Sequence, residues 1–401
     1  MIFDTLKKST AISSSSDLAS YLGLGYQSMS GVTVTPETAM KYSAVFSCIK
    51  VLSESVGMLP LHLYKDADKG RKKAKDHKLY SLLHDEPNTY QTAQEFKEML
   101  VAHVCLRGNF YAYINRVRGE VRELLPFNPD AVAPILNDDY EVEYKVTYKN
   151  GTSDVLKQKD VFHIKGLTLD GFTGVSVIHY AKDSIGLGLA TERHGSKLFS
   201  NGARPGGILS TDQKLQPDQV ERIRDNWNDT QGGLENAHRT AILEGGLKWA
   251  AIGMTSEDSQ FLETRKYQRS EVAGMFRVPP HMIGDLERST NNNIEHQGQE
   301  FVTYSLMPYL TRIEQRVRKS LLNTKEKKEY FAKFNVSALV RGDMKTRIAW
   351  YGGMINWGLM SPNEGRELED MNPRDGGDDY LTPMNMNVNG KPQEETPNDK
   401  K

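Results

Sequence analysis

Apolar positions along the chain follow two rhythms, one near 3.6 residues and one of two residues, and the switches between them mark its elements. From Tyr42, Val45, Ile49, Leu52 and Val56 recur on one helical face until Pro60 ends the run. LHLYKD then alternates as a strand, and Asp66 to Lys75 reads as a charged turn. A second helix follows Thr92, with Phe96, Leu100 and Val104 in register. NFYAYINRV and EVRELLPF read as strands joined at Arg118-Gly119. DAVAPIL, EVEYKVTYK, SDVLK and VFHIKG extend the β pattern, with Asn150-Gly151 as a tight hairpin turn. Residues 40–170 are therefore expected to form an α+β unit. Residues 1–39 are rich in Ser, Gly and Thr and read as a flexible N-terminal arm.

After Gly174 the helical rhythm lengthens. SVIHYAKDSIGLGLATERHGSKLFSNG predicts one helix of roughly 25 residues, about 37 Å long at the usual rise. Gly186, Gly188 and Gly195 weaken it in isolation but allow a neighbouring helix to pack closely. The Gly186-x-Gly188 pair lacks a third glycine and an immediately preceding strand, so it is no dinucleotide fingerprint. The NGARPGG break follows, with Asn201, Gly202, Arg204, Pro205 and Gly206 as a hinge. A short helix from Pro217 to about Thr230 and two strands, HRTAILEGG and LKWAAIG, complete a small module inserted at 202–253. A second long helix starts at Thr255 or Ser256 and runs to Phe276. Its Arg265, Lys266 and Arg269 form a basic cluster, either a solvated face or a face that meets a polyanion or a neighbour's acids.

Between this helix and a third one lies FRVPPHMIGDLERSTNNNIE. Pro279 and Pro280 stop the preceding helix near Val278, and Gly284 permits a sharp turn. Ser289, Thr290, Asn291, Asn292 and Asn293 then offer possible N-caps, with Glu295 just inside the next helix. On this pattern alone the stretch is either an ordinary helix connection or a loop built for contact. The third helix runs from about Asn293 to Leu322, carries a basic second half, and contains Pro308, which predicts a kink costing about 3 kcal/mol in a regular helix. EYFAKFNVSALVRGD returns to strand pattern, Met344 to Trp357 is helical, and Ser361 opens a shorter helix. Residues 373–401 read as a disordered tail.

Composition narrows the function. The chain has 401 residues, 38% of them hydrophobic, with a mean hydropathy of −0.57. These values suit an elongated subunit or one that completes its burial in an assembly. With 51 basic against 52 acidic residues, net charge is −1, which argues against a protein that coats DNA. Cys48 and Cys105 lie in apolar helical patterns, and a reduced setting is expected. No run of apolar residues is long enough to span a membrane, and the N-terminus lacks a signal-peptide core. No metal-ligand spacing, phosphate loop or nucleophile elbow is present. His163, His179, His281 and His296 read as structural hydrogen-bonders, and no catalytic residue, cofactor or metal site is expected.

DVFHIKG, DGFTGVSVI, a long helix, LFSNGARPGGIL, EVAGMFRVPPHMIG and STNNNIEHQ occur in an order and spacing that resembles the portal proteins of tailed bacteriophages, the HK97-like family. The resemblance covers roughly residues 35–370, with SNGARPGGIL and FRVPPHMIG specific together; Asn291 stands where many relatives carry an aromatic residue. It implies an α+β portal fold and a ring, usually of twelve subunits, at one capsid vertex, with double-stranded DNA moving through its axis. On this sequence, 40–175 resembles the wing, 176–201 and 254–277 the stem helices, 202–253 the clip and 278–293 the tunnel loop. Residues 294–341 resemble a kinked helix and strands returning to the wing, and 342–372 a helical crown. The implied partners are the large terminase, the major capsid protein and scaffold, and the head–tail connector. The implied location is the virion, after assembly in the bacterial cytoplasm. Arg288 to Asn293 would then be the loop that meets DNA, with Ser289 to Asn293 able to touch phosphates by hydrogen bonds without a fixed charge grip. Near-zero net charge suits a channel that must let DNA slide. Two other readings stand beside this one. A nucleic-acid-processing enzyme would show metal-dependent turnover, and a non-channel capsid or tail adaptor would form a ring without helices around its axis.

Overall fold

The computed structural model describes residues 26–66, 70–200, 207–211, 215–231, 246–251, 256–285, 297–336, 344–369 and 371–381. Its core is laid down by two helices with the expected stripes. Here α2 is Ser43–Gly57, preceded by the one-turn α1 at Pro36–Ala39, and α4 is Ala93–Arg107, preceded by α3 at Lys78–His84. The start of α4 is fixed by a capping box. The Thr92 hydroxyl accepts from the Glu95 amide at 3.3 Å, and the Glu95 carboxylate accepts from the Thr92 amide at 2.8 Å. Cys48, Leu52 and Val56 of α2 meet Leu100, Val101 and Cys105 of α4 in a continuous apolar interior. Both thiols are free; burial raises Cys48 to about 12 and Cys105 to about 11, so neither is a thiolate at neutral pH.

Three antiparallel sheets surround these helices. One pairs β10 (Val161–Lys165), β5 (Asn109–Val117) and β6 (Glu120–Pro126) in that order. A second pairs β13 (Tyr330–Phe334), β3 (Leu61–Asp66) and β4 (Arg71–Lys73), which brings the strand after the third long helix back onto the first strand of the unit. The third, β7 (Val132–Leu136), β8 (Val142–Thr147) and β9 (Ser153–Lys157), packs Tyr144 and Val146 onto Tyr111 and Val161 in a small satellite core. His163 lies between them. Its two ring nitrogens meet the Tyr144 hydroxyl at 3.1 Å and the Asn109 side-chain oxygen at 2.9 Å. Burial, then Arg316 and Lys165, hold it far below the ordinary histidine range, so it is a neutral structural group.

The α4 helix stops at Gly108, whose φ is +76°. Its backbone is pressed against the loop that leads out of the unit, because a Cβ at Gly108 would lie 2.4 Å from the Val175 carbonyl. Asn109 ties the two segments. Its side-chain oxygen accepts from the Gly174 amide at 2.7 Å and its amide donates to the Gly174 carbonyl at 2.8 Å.

The long helix expected after Gly174 is two helices, α5 at Val177–Tyr180 and α6 at Lys182–Ser200, stepping at Ala181 with φ −93° and ψ 9°. Its glycines do admit close neighbours, but not the expected helix. Ser28 of the β1–β2 hairpin (Tyr26–Gln27 and Thr33–Val34) sits over Gly186, and the Tyr42 ring over Gly188. Residues 26–39 are therefore a packed part of the unit, with Val32, Val34 and Ala39 buried, and the expected arm is shorter than 1–39. At the other end, residues 371–381 fold back on the last helix, where the Asn363 amide bonds the Arg374 carbonyl at 3.0 Å and the Asp378 carboxylate at 2.9 Å. The expected tail thus begins later than 373.

The inserted segment contains β11 (Gly207–Ser210), α7 (Pro217–Gln231) and β12 (Lys248–Ala251), with β11 and β12 antiparallel. The second long helix, α8, is Ser256–Phe276. It runs antiparallel to α6: Ser184 meets Glu271 at 2.7 Å, and Thr191 meets Gln268 at 3.2 Å.

Candidate functional site

The Pro-Pro segment begins with an unusual helix end. After Phe276, the Arg277 amide bonds the Gly274 carbonyl at 3.0 Å and the Val278 amide bonds the Ala273 carbonyl at 2.9 Å. This is a Schellman cap, normally closed by a left-handed glycine. Here the left-handed residue is Arg277, at φ 56°. A side chain there costs about 1 kcal/mol relative to glycine. Val278 and Ala273 supply the buried apolar contact that accompanies such caps.

Pro279 and Pro280 then lead into a 3-10 turn, Pro280–Ile283, which closes on Gly284 at φ +85°. Both prolines and the glycine therefore shape the turn through backbone conformation. Three side chains fasten it. Arg269, two turns before the end of α8, donates to the Ile283 carbonyl, and its guanidinium lies 3.4 Å from where a Cβ on Gly284 would be. Ser270 donates to Asp285 at 3.0 Å. His281 meets Gln297 at 2.7 Å, where the chain returns. Asp285 and Gln297, the described residues on either side of 286–296, are thus each held by a side-chain hydrogen bond. Arg288, Ser289, Thr290, Asn291, Asn292 and Asn293 lie outside the described residues, as do Asn201, Gly202, Arg204, Pro205 and Gly206.

The returning helix departs from its expected shape. Residues 297–300 are α-helical, Phe301–Leu306 is π-helical, and α9 proper is Met307–Ser320. Pro308 falls in the first turn of α9, where the regular ladder has already been opened by the wider turn. The predicted disruption therefore takes the form of a π-segment ahead of the proline. Ser305, inside that segment, donates to the Arg277 carbonyl at 2.5 Å and joins the two helices flanking the loop.

The expected basic cluster divides. Arg265, Lys266 and Arg269 line a cavity of about 420 Å³ with Tyr42, Glu192 and Glu263. Two carboxylates already face this cavity, and burial, then Glu192, push the Tyr42 phenol up. Arg269, whose guanidinium anchors Ile283, is a structural tie. Arg265 is exposed. Sequence reasoning missed Arg277, because nothing in an arginine signals a left-handed backbone, and missed Ser305, because a lone serine in an apolar stripe signals nothing. Among the described residues, no group of three or more His, Cys, Asp or Glu side chains is placed to hold a metal ion, and no helix is long and apolar enough to cross a membrane.

Comparison with known proteins gives a consistent answer. The family described as phage portal protein matches residues 43–370. The chain is 34% identical over 373 residues to the portal protein of Enterobacteria phage HK97, covering 90% of this chain and 87% of that one. It is 33% identical over 389 residues to the probable portal protein of Streptomyces phage phiC31, covering 94% and 85%. Among solved structures it is similar to a chain from the neck of an empty gene transfer agent particle. That match has a TM-score of 0.62 at 26% identity and covers 82% of this chain and 90% of that one.

Proposed function

The chain belongs to the phage portal protein family, and on that premise we propose that it forms a ring at one vertex of a capsid and conducts double-stranded DNA during packaging and ejection. The observation that carries this reading is the antiparallel pair of α6 and α8. The pair has the inserted β11–β12 segment at one end and the Pro279–Gly284 turn at the other. Repeated around an axis, such a pair lines an opening, and each turn carries a loop toward it. In this reading 40–175 is the wing, 176–201 with 254–277 the stem, 202–253 the clip, 278–293 the tunnel loop and 342–372 the crown. The clip docks the large terminase during packaging and the head–tail connector afterwards, while the wing and crown face the major capsid protein and scaffold. Assembly takes place in the host cytoplasm. The protein works by positioning rather than by catalysis. Closed rotational symmetry also accounts for the low hydrophobic content, because each subunit's apolar seam is covered by the next.

Electron microscopy of the purified chain tests the reading. A ring with an axial opening wide enough for a duplex is expected; a uniform monomer, or a ring with the Pro279–Gly284 turn on its outer rim, would overturn it. Deletion of 288–292 should leave the ring intact and reduce retained DNA. Charge reversal at Arg265 and Lys266 should impair assembly or packaging, and unchanged behaviour would return them to a solvated face.

A further inference from the structure

We infer that the groove between the 165–180 segment and the helix spanning 301–319 is the face by which one copy of this chain grips the next. The inference rests on the ring reading above and adds the surface that builds it.

Two cavities, of about 540 and 260 Å³, share Gly166 and Arg312 and so form one groove. Its larger half is apolar and open. Leu167, Leu169, Tyr180 and Tyr304, 64%, 72%, 66% and 65% exposed, lie together along it. Met275 and Arg277 complete the rim, and no Lys, Asp or Glu lines this half. Aromatic residues, Met and Arg with few other charges are the composition of protein–protein contact cores, and a contiguous exposed apolar patch marks such a contact. The left-handed backbone of Arg277 fits this role, since it retains a side chain on the rim where glycine would be easier.

The smaller half is cationic. Arg312, Arg316 and Lys319 recur at helical spacing along one face of α9, and Lys165 joins them from the end of β10. No carboxylate lines this half. The side chains of Arg316 and Lys319 make no hydrogen bond or ion pair among the described residues. Asp170, in the loop alongside, is committed to its own turn, accepting from the Phe172 amide at 2.9 Å and the Thr173 amide at 2.7 Å. Burial, then Arg316 and Lys319, push Lys165 below the usual lysine range against the opposing pull of Asp170, and its ammonium donates to the Gly171 carbonyl.

A second copy satisfies both halves. Of 51 cations and 52 carboxylates, setting these four cations aside leaves 47 against 52, so an acidic excess lies elsewhere on the same chain. A head-to-tail contact sets carboxylates of one copy against the next copy's basic half, and repeating it closes a ring. A nucleic acid would match the cationic half and leave four exposed apolar side chains wet.

The test uses the full chain with two paired variants, Leu169→Asp with Tyr304→Asp, and Arg312→Glu with Arg316→Glu. Each should raise the concentration needed for assembly at least tenfold, by sedimentation, while circular dichroism stays that of wild type. Zero-length amine–carboxylate cross-linking of rings mixed from light and ¹⁵N-labelled chains should join Lys165 or Lys319 to a carboxylate on the other isotope. Variants that assemble at the wild-type concentration, or cross-links confined within one isotope, overturn the proposal. Variants that assemble normally but lose duplex DNA assign the groove to nucleic acid and overturn it as well. A wild-type chain that never assembles overturns the ring reading and this face with it, whereas a wild-type ring with indifferent variants overturns the face alone.

Discussion

Among the described helices, α4 ends on a left-handed glycine, Gly108, and α8 on a left-handed arginine, Arg277. At Gly108 the neighbour is backbone, and a Cβ would meet the Val175 carbonyl at 2.4 Å. At Arg277 there is room, and the side chain reaches the rim of a groove. The first end needs its residue for space. The second accepts strain and keeps a functional group in return. The difference also runs through their supports. Gly108 is sealed into the core by Asn109 and buried His163, while the turn that follows Arg277 is held by side chains of the helix before it, above all Arg269.

The sharpest way to break the contrast is Gly108→Ala. It adds a left-handed penalty to a backbone collision, and a loss of about 3–4 kcal/mol is expected by chemical denaturation. A loss under about 1 kcal/mol would mean that the two ends are alike. Next is Arg269→Ala, which removes a charge-assisted bond to the Ile283 carbonyl. About 2 kcal/mol should be lost, with faster hydrogen exchange at Gly284 and Asp285 and none at Gly108.

A pH series separates the two ends by a different route. His163 is held neutral in the fold, so its contribution is complete above the ordinary histidine range near 6.5 and is lost as pH falls through it. Unfolding free energy should decline below that point by up to about 1.4 kcal/mol per pH unit for this one group. Exchange near Gly108 should feel the decline, and exchange at the Arg277 turn should not follow it. The smallest effect expected is a gain. Arg277→Gly relieves the backbone penalty and should stabilise the chain by about 1 kcal/mol while weakening assembly. A variant both more stable and equally assembled would remove any use for the arginine.

The alternation of periods made the α+β unit legible because buried faces repeat: Val45, Ile49, Leu52 and Val56 lie in the core, and each strand pattern from LHLYKD to VFHIK is a strand. Pro279, Pro280 and Gly284 announced their turn because each restricts the backbone by its own chemistry. What stayed hidden depended on partners remote in sequence. Gly186 and Gly188 signalled close packing but not by what, since Ser28 comes from a segment whose composition reads as loose and Tyr42 from the start of a helix remote in sequence. Arg269 looked like its neighbours Arg265 and Lys266, and only the folded chain aims it at Ile283. The groove was illegible because Leu167 and Leu169 sit in an aperiodic loop, while Arg312 and Arg316 read as an ordinary basic helix face.

The wider turn at Phe301–Leu306 sets a phase. An α-helix advances about 100° per residue, so inserting or deleting one residue there would rotate everything upstream by that angle relative to α9. Gln297, and with it the point where the 286–296 segment rejoins the body, would swing to another side of the helix and away from His281. The bearing of the chain at Gln297 is therefore governed by a count of residues in the wider turn rather than by their identities.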